Sequence, residues 1–350
     1  MGFRPFVFKL ACHFSIAGTV TNTSEGVVIQ AAGPQIFSFI EALSSEAPPL
    51  AKIEALFHRP LEKRLQADSF TIVASRSGAS SRANIPPDIS VCQDCFEELT
   101  DPADRRFGYP FINCTNCGPR FSIIETIPYD RPKTSMKDFA MCGACSREYL
   151  DPMNRRFHAQ PNACPACGPA ISLHDSQGRP LKSADVVAAA ITAIIQNKVL
   201  AIRGLGGFHL CVSGCSAAAV TTLRDRKNRP DKPLAIMVKD LLQAKKLCVL
   251  DDQEKHTLSS PQHPIVLLKP RPGSSLAPNL APEMSDIGLM LPYTPLHHLL
   301  FAHPDCPAAL VMTSGNISGE PICTSNDEAL DRLAGIADLF VLHNRDIVTR

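Results

Sequence analysis

The sequence predicts a multidomain α+β chain: a ferredoxin-like unit lacking its first strand, a duplicated four-cysteine module, and an α/β domain. Three observations predict it. Residues 1–75 read in the order α-β-β-α-β. Eight of the 14 cysteines fall in four C-x-x-C pairs that repeat at an offset of 50 residues. After residue 176 apolar runs and amphipathic segments alternate again. At roughly 100–200 residues per domain, the 350 residues divide at 1–78, 79–175 and 176–350.

In the first segment, Phe3–Phe14 reads as a helix. Ile16–Asn22 and Gly26–Ala31 read as strands around a turn at Thr23–Glu25. Pro34–Ser45 is helical with its proline near the start. Ala51–Phe57 and Ser69–Ser75 read as later strands, and the opening Met1-Gly2 leaves no room for a strand before the first helix. Arg4 falls at a helix N-terminus, where backbone N–H groups and a guanidinium can meet acyl-phosphate oxygens together. Asn22 falls at a strand end, where it could hold an attacking water. The same two residues also suit a surface position and a turn.

Residues 76–90 are rich in Ser, Arg, Gly and Pro and read as a linker. Then comes the repeat. Cys92 and Cys95 are followed after 18 residues by Cys114 and Cys117, after 24 more by Cys142 and Cys145, and after another 18 by Cys164 and Cys167. Arg105-Arg106-Phe107 matches Arg155-Arg156-Phe157, and Cys117-Gly118-Pro119 matches Cys167-Gly168-Pro169. Each C-x-x-C turn offers two thiolates, and two turns close a tetrahedron around one Zn²⁺. A closed site holds structure and performs no chemistry; its metal supplies folding free energy. Two structural zinc ions are expected, in Cys92/Cys95/Cys114/Cys117 and Cys142/Cys145/Cys164/Cys167, because a duplicated unit should close on itself. A cross-braced pairing and an iron–sulfur filling stay open at this point.

In the third segment Ala184–Asn197 reads as a helix followed by the strand Val199–Ile202. Further strands are expected at Leu234–Val238, Ile265–Leu268 and Ala309–Thr313, with helices at Asp240–Leu247 and Asn326–Ala334. Arg224, Arg226, Lys227, Arg229 and Lys232 crowd into nine residues before the first of those strands. Thr313-Ser314-Gly315-Asn316 follows the last and offers hydroxyl, amide and N–H donors of the kind that bind phosphate or carbonyl oxygens. A solvated basic helix end is the bland alternative for the cations. His209, His297 and His298 read first as core residues, with support of the residues around the nucleotide site as the alternative.

The residues carry three resemblances. Gly2-Phe3-Arg4-Pro5-Phe6, Gly18-Thr19-Val20-Thr21-Asn22 and Glu25-Gly26-Val27-Val28-Ile29 resemble the acylphosphatase family. That resemblance implies that Arg4 binds the phosphoryl group and Asn22 orients the water. The family carries a first strand and a glycine-containing phosphate loop before the arginine. This sequence begins at Gly2 of that loop, so most of the cradle is expected to be missing. Lys227-Asn228-Arg229-Pro230 and Ser314-Gly315-Asn316 resemble the K-x-R-P and S-x-N motifs of the YrdC/Sua5 family. By that resemblance Lys227, Arg229, Ser314 and Asn316 bind the phosphates of ATP, with Mg²⁺, and a small acyl group.

The order of the three segments resembles the hydrogenase-maturation carbamoyltransferases, the HypF family. The resemblance implies hydrolysis of carbamoyl phosphate, formation of carbamoyl-AMP from ATP, and transfer to the C-terminal cysteine of HypE on the way to a cyanide ligand of [NiFe]-hydrogenase. The transfer domain is expected to lie outside this sequence, leaving adenylate formation as the most this chain could do.

Bulk properties narrow the alternatives. Net charge is +1 and 45% of residues are apolar, which suits a globular enzyme without an overall charge bias toward nucleic acid or membrane. The longest nearly pure apolar run, Val186–Ile195, is too short for a bilayer. Arg4, Pro5 and Lys9 break any signal-peptide pattern, so a cytoplasmic location is expected. A threonylcarbamoyl-AMP synthase of tRNA modification would share the third segment but would not need the zinc repeat or Arg4 and Asn22. A non-enzymatic RNA-binding zinc protein is disfavoured by the charge and by the lack of stacking aromatics.

Overall fold

The computed structural model describes residues 2–23, 26–48, 51, 53–62, 65, 67–73, 86–127 and 129–349. Three packed units follow one another. In the first, α1 (Phe3–His13) and α2 (Ile36–Ser45) cover a sheet of β1 (Ala17–Thr23), β2 (Gly26–Ala32) and β3 (Phe70–Ile72). Val7, Leu10 and Ala11 on α1 and Phe39, Ala42 and Leu43 on α2 are buried. In both helices the spacing is i, i+3, i+4, one face of an amphipathic helix. These faces meet Val20 and Phe70 in one core. The sheet order is β2-β1-β3, with β1 antiparallel to β2 and parallel to β3.

The α-β-β-α-β order is the expected one, with one correction. The strand expected at Ala51–Phe57 does not form among its described residues. Glu54, Ala55 and Leu56 are exposed and Phe57 is 92% exposed, so no buried face fixes a register. Ser24 and Glu25 of the expected turn, and residues 74–85, lie outside the described residues.

The cysteine unit carries two short helices at equivalent places in the repeat, α3 (Gln93–Thr100) and α4 (Gly143–Leu150). Each starts at the first cysteine of a C-x-x-C pair, with Cys92 or Cys142 as the N-cap in extended conformation. Its core is small: Leu99, Tyr109, Phe111, Ile112, Ile123 and Met136 surround the cysteines. It packs on the third unit, where the Phe96 ring lies 4.9 Å from that of His298.

The third unit opens with β4 (Ile171–Asp175), β5 (Pro180–Leu181), α5 (Val186–Ile195), β6 (Leu200–Arg203), β7 (Phe208–Ser213) and α6 (Ala217–Lys227). It continues with β8 (Ile236–Met237), α7 (Leu241–Leu247), α8 (Asp252–Leu258), β9 (Val266–Leu268), β10 (Ile287–Met290), α9 (Pro295–Ala302), β11 (Leu310–Ser314), α10 (Asn326–Arg332) and β12 (Leu339–His343). The sheet order is β5-β4-β12-β6-β7-β11-β8-β10-β9. Period 2 splits its central strands between two cores. Ala201, Leu210, Val212 and Val311 enter the core under α6, while Leu200, Ile202, Cys211 and Leu310 enter the core under α5 and α9. The strand expected at Leu234–Val238 shortens to Ile236–Met237, because Leu234 donates its N–H to Leu280 in a loop instead of a ladder.

Candidate functional site

The third unit brings two sequence motifs together. Lys227 is the last residue of α6. Its ammonium donates to Ser314 O at 2.6 Å, Asn316 O at 2.6 Å and Asn316 Oδ1 at 2.9 Å. An ammonium has three donors, and all three are used on the loop after β11. Ser314 Oγ donates to Asn316 Oδ1 at 2.7 Å, and Ser318 Oγ donates to Lys227 O at 2.9 Å. Three hydrogen bonds from a charged group, each worth about 1.5–3 kcal/mol, make Lys227 a clamp on the S-x-N loop.

The other side of the site is shaped by Arg224, which is 6% exposed. Its guanidinium donates to Arg229 O (2.8 Å), Pro230 O (2.7 Å) and Lys232 O (3.1 Å) from Nη1, to Leu280 O (2.9 Å) from Nη2 and to Asn279 O (2.8 Å) from Nε. It curls residues 228–232 around itself and is spent doing so. Asn228 turns the chain there in left-handed conformation, φ 47°, a region asparagine tolerates. The result is a cleft of about 370 Å³ lined by Lys227, Arg229, Lys232, Asn316 and Ser318 among others.

Arg229 faces this cleft. It donates Nη2 to Pro233 O at 2.9 Å, and its buried Nε has no hydrogen-bond partner among the described residues. Burial and the Arg229 charge push the Lys227 ammonium down to about 8. Burial also lowers Arg229. Arg229 and Lys232 thus give positive charge to a polar cleft whose wall Lys227 braces, a setting that suits a polyphosphate.

Gly315, between Ser314 and Asn316, has its own reason to be glycine. It donates its N–H to Phe208 O at 2.7 Å, and a Cβ there would lie 2.6 Å from Phe208 Cβ and 2.9 Å from its carbonyl carbon. The Arg224 scaffold and this close approach were not singled out from the sequence. Gly315 inside S-x-N was the available signal for the second. His209, His297 and Tyr293 form an aromatic group in which His297 is buried and the other two are half-buried, with His209 Nε2 2.9 Å from Tyr293 Oη. Burial pushes His209 down to about 4, a neutral core histidine.

The cysteines group in chain order. Sγ–Sγ distances are 3.6 Å for Cys92–Cys114, 3.9 Å for Cys114–Cys117 and 3.5 Å for Cys117–Cys95. In the second quartet they are 3.8 Å for Cys142–Cys164, 3.7 Å for Cys164–Cys167 and 3.6 Å for Cys167–Cys145. Four sulfurs at about 2.3 Å from one Zn²⁺ in a tetrahedron are about 3.8 Å apart. Both quartets fit a structural zinc, each built from consecutive C-x-x-C pairs and not cross-braced.

Arg4 sits in the first turn of α1, after Gly2 in left-handed conformation (φ 81°). Its Nη1 lies 3.5 Å from Val73 O. Burial lowers its pKa, opposed by the Asp130 carboxylate of the cysteine unit, and the Arg4 charge in turn helps depress His158. Arg4 thus lies at the seam between the first two units. Asn22 pairs with Val27 across β1 and β2, and its side chain is outside the described residues.

Comparison with known proteins gives a matching picture. The acylphosphatase family profile matches residues 1–72, the HypF finger profile matches residues 91–124 and 141–174, and the Sua5/YciO/YrdC profile, described as telomere recombination, matches residues 192–350. Carbamoyltransferase HypF2 of Cupriavidus necator is 46% identical over 367 residues, covering 100% of this chain and 45% of that protein. Carbamoyltransferase HypF of Synechocystis is 49% identical over 353 residues, covering 99% and 45%. A crystal structure of full-length HypF in the phosphate- and nucleotide-bound form superposes with a TM-score of 0.90 at 47% identity, covering 100% of this chain and 45% of that one. A second, of T. kodakarensis HypF, superposes at 0.86 with 42% identity and the same coverage. The chain thus spans under half the length of the curated relatives it matches. No helix among the described residues is long and apolar enough to cross a membrane. With all three segments matched in order and the superposition running end to end, the chain is similar along its whole length to just under half of the HypF carbamoyltransferases.

Proposed function

We propose that the third unit forms carbamoyl-AMP from carbamate and MgATP, as a step of carbamoyltransfer in [NiFe]-hydrogenase maturation. The observation that carries this reading is the Lys227–Asn316 clamp on the wall of a cation-lined cleft. Arg229 and Lys232 offset the triphosphate charge, together with Mg²⁺, and Asn316 and Ser318 offer neutral hydrogen-bonding groups to the phosphates and the acyl group. A carbamate oxygen attacks the α-phosphorus, the α–β bridging P–O bond breaks, and pyrophosphate leaves with the electron pair. Little covalent chemistry is asked of the protein; positioning and charge stabilisation suffice.

In the same reading Arg4 holds the phosphoryl group of carbamoyl phosphate and Asn22 orients the water that releases carbamate. The two cysteine quartets hold structural zinc between the catalytic units. Transfer of the carbamoyl group to the C-terminal cysteine of HypE falls to the remaining length of the relatives. The location is the cytoplasm.

The test is product identification. The purified chain is incubated with MgATP and either carbamoyl phosphate, ammonia plus bicarbonate, or threonine plus bicarbonate, and acyl-AMP is read by mass spectrometry. Carbamoyl-AMP from the first two inputs is the expected result. Carbamoyl-AMP from ammonia plus bicarbonate alone removes the hydrolytic role of Arg4 and Asn22. Threonylcarbamoyl-AMP from the third input overturns the reading in favour of tRNA modification.

A further inference from the structure

The two halves of the cysteine unit exchange their arginines. Arg155, in the second half, donates from Nη1 and Nη2 to Cys95 Sγ in the first half, both at 3.3 Å. Arg105, in the first half, donates from Nη2 to Cys145 Sγ in the second half at 3.2 Å. Each arginine also pairs with a carboxylate on the helix that bears that cysteine: Arg155 with Glu98 at 2.6 Å, Arg105 with Glu148 at 2.7 Å. The neighbouring arginines repeat the pattern. Arg106 Nε donates to Ala163 O at 2.9 Å and Arg156 Nε to Asn113 O at 3.0 Å; Arg106 also pairs with Glu148, and Arg156 with Glu98. These partners are offset by the same 50 residues, so the contacts form one interaction used twice about a local twofold relationship.

The chemistry of the quartets gives this exchange a consequence. Four thiolates around one Zn²⁺ leave a net charge of −2. Groups that hydrogen-bond to the ligands of a metal fix those ligands and typically alter its affinity 10–100-fold. Here the side-chain donor to each quartet comes from the loop closed by the other quartet: Arg155 lies between Cys145 and Cys164, and Arg105 lies between Cys95 and Cys114. A loop without its metal does not hold its arginine in place.

We propose that Arg155 and Arg105 are positioning residues for the metal of the opposite half, so that the two quartets load cooperatively. Filling one site orders the loop that completes the surroundings of the other. The duplication is then a mutual device, in which one half alone holds its metal more weakly than the pair.

Two measurements test this in the full chain. Native mass spectrometry after one equivalent of Zn²⁺ per metal-free chain should show metal-free and two-zinc species dominating. Independent equal sites would give roughly half of the chains one zinc, and that distribution would overturn the proposal. In the ¹¹³Cd²⁺-loaded chain, the two metal resonances can be assigned through the cysteine β-protons and followed under chelator challenge. Arg155→Met should speed metal loss from the Cys92/Cys95/Cys114/Cys117 site about 10–100-fold more than from its own half. Arg105→Met should do the reverse. If either methionine variant fails to fold, Arg155→Lys and Arg105→Lys, which keep the charge and an N–H donor, should show the same crossed order with smaller amplitude. Metal loss confined to the half that carries the substitution, or equal at both sites, would contradict the assignment.

Discussion

Lys227 Nζ and Asn316 meet through two hydrogen bonds, 2.6 Å to the backbone oxygen and 2.9 Å to Oδ1, although 89 residues separate them. The end of α6 and the loop after β11 are thereby one element of structure. Removing the ammonium leaves three oxygens without their donor. Lys227→Met is expected to cost on the order of 3 kcal/mol of loop order, roughly a hundredfold in affinity for a non-hydrolysable ATP analogue. Isothermal titration checks it; an unchanged affinity would mean that the loop is held without the clamp.

The same lysine predicts a pH dependence. Its pKa is pushed down to about 8, first by burial and then by Arg229. Below that pH the ammonium has three donors for three acceptors. Above it one donor is lost and the positive charge with it. Affinity for the ATP analogue should therefore fall as pH rises through about 8. Arg229→Gln removes the repelling charge and should move the falling limb to higher pH, while weakening binding at every pH. A limb unmoved by Arg229→Gln would mean that another group titrates.

Gly315→Ala tests the close approach. A Cβ placed 2.6 Å from Phe208 Cβ and 2.9 Å from its carbonyl carbon must displace backbone, since Phe208 accepts the Gly315 N–H. Overpacking of this kind costs about 1–3 kcal/mol. The expected outcome is a lower Tm together with weaker nucleotide binding. Ala substitution at Gly335, where nothing lies within 4 Å of the added carbon and the backbone is outside the left-handed region, is the control and should leave both unchanged.

Metal content is the third observable. Elemental analysis of the purified chain should give two zinc ions, and Cys114→Ser at saturating Zn²⁺ should give one, because each quartet closes on its own four sulfurs. Retention of two ions in Cys114→Ser would contradict closed quartets. Iron with visible absorption in place of zinc would contradict the metal assignment itself.

What could be read from the sequence follows the range of the forces involved. The amphipathic spacing of α1 and α2 is a local pattern, and both helices lie within two residues of their expected ends. The four C-x-x-C pairs carry their grouping in the repeat, and the sulfurs do collect in chain order. Ala51–Phe57 has strand-like composition but, among the described residues, no strand partner, and composition cannot supply one. Arg224 looked like one more cation in a basic run. Its burial against five backbone oxygens depends on residues 279–280, which no local pattern connects to it. The crossing of Arg105 and Arg155 was equally hidden: the repeat shows that they are equivalent, and the fold decides that each serves the other half.

In the proposed function the cleft held by Lys227 and Asn316 activates carbamate with ATP. Exchange of radiolabelled pyrophosphate into ATP measures it directly. The expected exchange depends on ammonia plus bicarbonate, is not raised by threonine, and is lost in Asn316→Ala while both zinc ions stay bound. Exchange that persists in Asn316→Ala, or that requires threonine, would contradict it.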